Sequence, residues 1–128
     1  MLDKKTMSEL IAIVLHGGAD FVEVYSEYSK SNSVRYSDQK IETVSDSSRG
    51  GVGIRAFVGT QTYFACTSDL SHRGLVECAE RVAQAVGGSV LTIPDFCLIE
   101  RINPNIHPIK ILPSDVPAAQ RAELLRAA

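Results

Sequence analysis

Hydrophobic positions repeat with a helical period at the start of the chain and again near its middle. In the first stretch they fall three and four residues apart, and two adjacent glycines follow. This spacing predicts a helix over residues 3–16 that is buried on one side. A second stripe follows Ser71, a natural N-cap, and predicts a helix that stops at Gly87 and Gly88.

Between these helices the hydrophobic period changes from 3.6 to 2, which is typical of strands. Turn-forming residues divide the region into about five short strands. The turns and loops are expected at 29–32, 38–39, 45–51 and 59–60. Because connections of this length join antiparallel strands, the sequence predicts an α+β fold. In that fold an antiparallel sheet of about five strands carries the two helices on one face.

The composition of the sequence changes after residue 88. All five prolines lie between positions 94 and 117, a spacing that excludes a long helix or a central strand. We expect an α+β domain over 1–88, an extended proline-rich connector over 89–116 and a helix over 117–128. Short strand pieces, such as 109–112, are expected in the connector. The last helix has no stop signal, so we expect it to lead into a further domain.

Composition and charge narrow the classes of partner. The chain has 128 residues, of which 45% are hydrophobic and 22% charged, as in globular proteins. A net charge of −2 argues against binding nucleic acid by phosphate neutralisation. The apolar run at 10–15 is too short to span a membrane. The three separated cysteines Cys66, Cys78 and Cys97 suit a reducing compartment. We expect a soluble, cytoplasmic protein with neither nucleic-acid nor membrane partners.

Two patterns suggest site chemistry on first inspection. Residues 51–56 match the dinucleotide fingerprint G-x-G-x-x-A, which requires a helix after the glycines, but the residues that follow alternate as a strand. The histidines lie at 16, 72 and 107, outside metal-site spacing, and no H-E-x-x-H is present. The residues therefore predict no catalytic, metal-binding or cofactor-binding site within this chain.

Three arginines stand out among the charged residues. Arg35 and Arg55 occur within strands that otherwise alternate regularly, and Arg49 precedes the glycine-rich strand. Each is a candidate contact for a peptide or a partner surface. The alternative, an ordinary solvated arginine at each position, remains open from the sequence.

Several segments, taken in order, resemble the N-terminal domain of the TldD/PmbA family, also called modulators of DNA gyrase. The segments are GADFVEVY at 18–25, VRY at 34–36, RGGVGIRA at 49–56 and FACTSDLS at 64–71. The similarity extends to residues 107–109 and 113–116, as in TldD-like members, and covers nearly the whole chain. Members usually have Asp-Gly at the second hairpin, where this chain has Asp38-Gln39. That difference leaves the width of the turn and the register of residues 33–44 open.

The resemblance implies a two-domain zinc peptidase that acts as a homo- or heterodimer of TldD/PmbA-like subunits on small, unfolded peptides. The zinc site implied by the family is an H-E-x-x-x-H motif with a downstream cysteine, in a portion that would follow this chain. Zinc is therefore expected only in the full-length protein. Residues 20–67 are expected to hold a peptide or the partner subunit near that zinc.

A stand-alone, non-catalytic interaction module of the same fold is the alternative. The two hypotheses differ in whether the reading frame continues past Ala128 into the zinc motif.

Overall fold

The computed structural model describes residues 2–88, 92–93, 95–104 and 106–127. The elements in these residues are α1 Lys4–His16, β1 Phe21–Ser37, β2 Lys40–Val58, β3 Gln61–Thr67, α2 His72–Val86 and α3 Ala118–Ala127. A 3-10 turn, Pro113–Asp115, precedes α3. The predicted α+β class and the three predicted helices are confirmed.

The sheet has three strands in the order β1-β2-β3, so the prediction of about five strands is wrong. Residues 29–32 and 45–51, expected to be a turn and a loop, lie in extended conformation within β1 and β2. Neither segment contains proline or a residue with positive φ, so nothing in the backbone ends the strand there. Their polar side chains reflect exposure to solvent and do not interrupt the backbone pairing.

The chain forms two compact units. The first comprises Met1–Glu27 and Gly50–Glu100, and the second comprises Tyr28–Arg49 and Arg101–Ala128. Both units contain stretches of β1 and β2. The predicted division at residue 88 stays a prediction. Residues 89–91, Pro94 and Asn105, part of the predicted connector, lie outside the described residues.

The core of the first unit is built from one side of the sheet and one stripe of each of the first two helices. Its buried residues are Leu10, Val14, Val22, Val52, Ile54, Ala56, Leu75, Cys78, Ala79 and Val82. Val52, Ile54 and Ala56 alternate along β2, which aims them at the same face. The prediction that both helices cover one face of the sheet agrees with this core.

Local capping explains where the first two helices begin and end. Asp3 caps α1 by accepting a hydrogen bond from the Thr6 backbone N–H at 2.8 Å. Ser71 caps α2 in the same way, through its Oγ and the Gly74 N–H at 3.1 Å. Gly87 ends α2 in the left-handed conformation, with φ of 72°.

The two helices approach closely at the end of α1. A Cβ added to Gly17 would lie 2.8 Å from the Cα of Ala83 and 2.9 Å from its carbonyl oxygen. These are backbone atoms of α2, which cannot rotate away. Glycine at position 17 is therefore what permits this helix–helix contact.

Each of the two hairpins turns in two residues. Val58 pairs with Gln61 across Gly59 and Thr60, and Gly59 has a φ of 56°. Between β1 and β2, Asp38 and Gln39 have φ values of 48° and 61°. Two central residues with positive φ are the mark of a type I′ turn, so this turn is as tight as an Asp-Gly turn despite the glutamine.

The second unit is stabilised by polar contacts on its hairpin. Arg121 of α3 donates from Nη2 to the Asp46 Oδ1 at 3.0 Å, and the Asn32 Nδ2 donates to the same oxygen at 2.9 Å. Both hydrogen bonds lower the pKa of Asp46, and the one from Asn32 has the larger effect.

The prediction of a strand at 109–112 is wrong, because these residues form bends and irregular structure near several prolines.

Candidate functional site

The face of the sheet opposite the helices, here called the outer face, is open and rich in aromatic residues. In the first unit it carries Phe21, Glu23, Tyr25, Gly53, Arg55, Phe57, Phe64 and Cys66. These positions alternate with the buried ones along each strand. The outer face thus results from the same period of 2 that builds the core.

Arg55 lies at the centre of the outer face. Its Nη1 is 3.4 Å from the Glu23 Oε2 on the neighbouring strand, and about half of each side chain is exposed. On its other side, the guanidinium carbon lies 5.9 Å from the centre of the Phe64 ring, its cross-strand partner. Such a half-exposed ion pair and cation–π contact hold the guanidinium in place with little net stabilisation. Within the described residues Arg55 forms no ion pair other than the one with Glu23.

Gly53 leaves room for the Phe64 ring on the outer face. A Cβ at position 53 would be 3.0 Å from the Cε2 of Phe64. Gly53 therefore permits close approach by a neighbouring side chain, and Gly51 lies near the backbone oxygen of Thr67, as expected for glycine in a strand. These residues lie within β2 and open no helix, so the condition for a dinucleotide site is not met.

Aromatic side chains extend the outer face on both sides of Arg55. Tyr25 and Phe64 are 64% and 60% exposed, and Phe21, 56% exposed, packs against Phe57 with 5.8 Å between ring centres. The Tyr25 hydroxyl donates to Glu27 at 2.7 Å, and this hydrogen bond to a carboxylate raises the pKa of Tyr25. Exposed aromatic rings near a fixed arginine are the composition of protein-contact surfaces.

A groove of about 510 Å³ begins on the outer face and passes around the free edge of β1. Met7 and Ile11 of α1 form one wall, and residues 22–25 form its floor. Arg55 and Phe64 line the opposite side. Leu98, from the segment after α2, lines the groove as well. The groove therefore combines an apolar wall, a strand edge and a charged wall.

The other predicted contact residues lie in the second unit. Arg35 in β1 and Arg49 in β2 are exposed, and neither forms an ion pair within the described residues. Arg55 alone of the three belongs to the outer face of the first unit. Their role in binding stays a prediction.

The histidines occupy three different environments. His16 ends α1, and His107 lies in the irregular segment before α3. His72 begins α2, and its Nε2 is 2.9 Å from the Glu9 Oε2 of α1, so it links the two helices at the surface. Within the part of the chain that the structure describes, no three His, Cys, Asp or Glu side chains come together to hold a metal ion.

The cysteines are separate and free. Cys66 and Cys97 are exposed, whereas Cys78 is buried in the core. Burial raises the pKa of the Cys78 thiol, which keeps it protonated and unreactive.

Glu23, Phe64 and Leu98 were missed by the reasoning from sequence. Glu23 and Arg55 have opposite charges and both interrupt apolar alternation, a signal that predicts a pair only once the strand register is known. Leu98 carries no signal, because it lies in a segment without regular periodicity.

No helix in the described residues is both long and apolar enough to cross a lipid bilayer.

The fold and the outer face define a small α+β domain with an open, aromatic sheet surface. The family model described as "PmbA/TldA metallopeptidase domain 1" matches residues 22–86, half of the chain. The chain therefore belongs to the PmbA/TldD metallopeptidase family, and the match falls on the first domain of that family. The resemblance found in the sequence is confirmed.

The chain is also similar to two known proteins. Over 104 residues the chain is 29% identical to a Haemophilus influenzae protein named "Metalloprotease TldD homolog". The match covers 79% of this chain and 22% of that protein. It is also similar in fold to the crystal structure of TldE from Thermococcus kodakarensis, with a TM-score of 0.56 and 19% identity. That match covers 84% of this chain and 24% of TldE. The chain thus spans about a quarter or less of the relatives it matches.

Proposed function

We propose that this chain is the positioning domain of a TldD/PmbA-like zinc metallopeptidase that degrades or matures small, unfolded peptides. It holds the peptide, or the partner subunit, next to a zinc centre that other residues supply. On its own the chain is inactive. The observation that carries the proposal is the outer face, where exposed aromatic rings surround a fixed arginine on a domain of peptidase ancestry.

Extended peptides bind such surfaces through two kinds of contact. Their backbone pairs with a strand edge, and their alternate side chains contact the adjoining face. Aromatic rings contribute contact area at a low cost in conformational entropy, and an arginine fixes the position of a carboxylate or carbonyl. Arg35, Arg49 and Arg55 are the contacts that we propose for the peptide or for the TldD/PmbA-like partner subunit.

The metal is not assigned to the described residues. A catalytic zinc site needs three protein ligands and an open position for water. The described part of the chain brings no such set together, so these residues do not fit zinc. We therefore propose that the domain at 1–88 is followed by the connector 89–116 and by a helix from 117 that leads to the zinc-binding half, in a cytoplasmic dimer.

Deletion tests this division of labour. In a full-length family member that carries this domain, removal of residues 1–88 should reduce cleavage of an unstructured peptide to background and leave the zinc content unchanged. Undiminished cleavage would contradict the positioning role. Loss of zinc together with cleavage would also contradict it, because the domain would then support the metal centre.

Point variants give a finer test in the same full-length protein. Replacement of Arg35, Arg49 or Arg55 by Ala should raise KM about two- to fivefold, the size expected for an exposed charged contact, with kcat unchanged. Arg126→Ala, at an exposed arginine on α3, is the matched control and should have no effect.

A non-catalytic interaction module of the same fold is the second candidate, because an exposed aromatic sheet surface also fits protein binding without hydrolysis. Sequencing of the gene beyond codon 128 separates the two. An H-E-x-x-x-H motif in the same frame supports the peptidase, and a stop codon supports the module.

A further inference from the structure

We propose that the groove along the edge of β1 is a binding site for an extended peptide segment that carries an aliphatic side chain, and that Leu98 of this chain competes for it. The proposal rests on the proposed function and names where and how a peptide is held. It concerns the first unit alone.

β1 leaves one edge of the sheet unpaired within the described residues. β1 is an end strand, and its only sheet neighbour in the described residues is β2. The segment 95–100 forms no strand, and no backbone hydrogen bond joins it to β1 in the described part of the chain. The outward-facing N–H and C=O groups of residues 21–25 are therefore open to a strand-like peptide.

The walls of the groove differ in their chemistry. An extended segment directs successive side chains to opposite sides. On one side of the β1 edge it would meet the apolar wall formed by Met7 and Ile11, and on the other side the Glu23–Arg55 ion pair. The groove is thus suited to a segment that alternates an aliphatic residue with a polar one.

Leu98 of the same chain already lines the groove. It is half-buried and lines the groove, whereas its neighbour Ile99 is 78% exposed. Glu100 lies 3.9 Å from Lys4 of α1, a weak ion pair that keeps the segment beside the groove. The same chain therefore already places one aliphatic side chain, from a segment without regular secondary structure, in the groove.

Competition by Leu98 lowers the apparent affinity of the groove for a peptide. A peptide that needs the groove must displace Leu98, so its apparent affinity falls in proportion to the fraction of molecules with the groove open. If Leu98 occupies the groove nine-tenths of the time, its removal strengthens peptide binding about tenfold.

The test uses a fluorescein-labelled hexapeptide that copies residues 95–100 with the change Cys97→Ser, which prevents disulfide formation. Its binding to the 128-residue chain is measured by fluorescence anisotropy for the wild type, for Leu98→Asp and for Ile99→Asp. We expect Leu98→Asp to bind about tenfold more tightly than the wild type. Ile99→Asp, the matched control one residue away, should bind like the wild type. A hexapeptide with the further change Leu98→Asp should not bind.

Amide chemical shifts locate the site in the same sample. Shifts confined to residues 21–25 and to the groove wall support the proposal. The proposal is overturned if the wild type and Leu98→Asp bind the peptide equally, or if Ile99→Asp shows the same increase as Leu98→Asp. It is also overturned if binding does not depend on the leucine of the peptide, if no binding occurs, or if the shifts are centred on β3. None of these outcomes decides the domain-deletion experiment, which measures cleavage and zinc in the full-length protein.

Discussion

The strands β1 and β2 are each divided between two regions of different character. In residues 21–27 and 50–58, buried aliphatic side chains alternate with exposed ones. In residues 28–49 the same two strands are mostly exposed and polar, yet they remain extended up to a tight turn. Alternating hydrophobicity therefore reports which part of a strand is covered by helices. It does not report where the strand ends.

The largest effect should come from equal truncations in the two regions. Ile54 is fully buried, so Ile54→Ala should lower the free energy of unfolding by about 2–5 kcal/mol. Ile41→Ala removes the same atoms from a half-buried position and should cost about 1 kcal/mol. Urea denaturation followed by circular dichroism measures both. Equal costs would remove the distinction between the two regions.

Addition of one methyl group should separate the regions by a smaller margin. Gly17→Ala forces a Cβ against the backbone of Ala83, so it should cost about 1–3 kcal/mol. Ser33→Thr adds a methyl group at an exposed strand position of the hairpin and should change stability by less than about 0.5 kcal/mol. If Gly17→Ala were neutral in the same denaturation assay, the close approach of α1 and α2 would be wrong.

Opposite substitutions at the two turns should have opposite signs. Gln39 adopts a left-handed φ of 61°, so Gln39→Gly should stabilise the protein by about 1 kcal/mol. Gly59 has a φ of 56°, and Gly59→Gln should destabilise by about 1–2 kcal/mol. Thermal and urea midpoints check both. Destabilisation by Gln39→Gly would show that the first turn is not type I′.

The smallest effect concerns pH in the exposed region. The hydrogen bonds from Asn32 and Arg121 hold the pKa of Asp46 below its ordinary value of 3.8. A lowered carboxylate pKa stabilises the fold above that value, and the contribution is lost as the pH falls through the folded-state pKa. Asn32→Ala removes the larger cause and should move the Asp46 pKa upward in a carboxyl NMR titration. An unchanged pKa would show that the hydrogen bond is not formed in solution.

What could be predicted from the sequence was local. The caps at Ser71 and Gly87 and the hairpin at Gly59 depend on residues close in sequence, so their chemistry is visible without the fold. The contacts that were missed join distant residues: Glu23 and Arg55 are 32 apart, and Asp46 and Arg121 are 75 apart. Such pairs require the strand register and the packing of α3, and neither leaves a periodic signal.

The number of strands was mispredicted for a related reason. Serine, asparagine and aspartate are enriched in turns, and clusters of them at 29–32 and 45–51 predict breaks between strands. Their backbone can still adopt the extended conformation, and in a solvent-exposed hairpin polar side chains carry no desolvation penalty. Only the positive φ of Asp38 and Gln39 ends the strands.

The central claim is that this domain can hold a peptide while hydrolysis needs residues from elsewhere. One sample tests it directly: the purified 128-residue chain is equilibrated with zinc, desalted and incubated with an unstructured peptide, and bound metal and cleavage products are quantified. The account predicts that far less than one equivalent of zinc is retained and that no cleavage occurs. Tight retention of one equivalent of zinc together with peptide hydrolysis would contradict it.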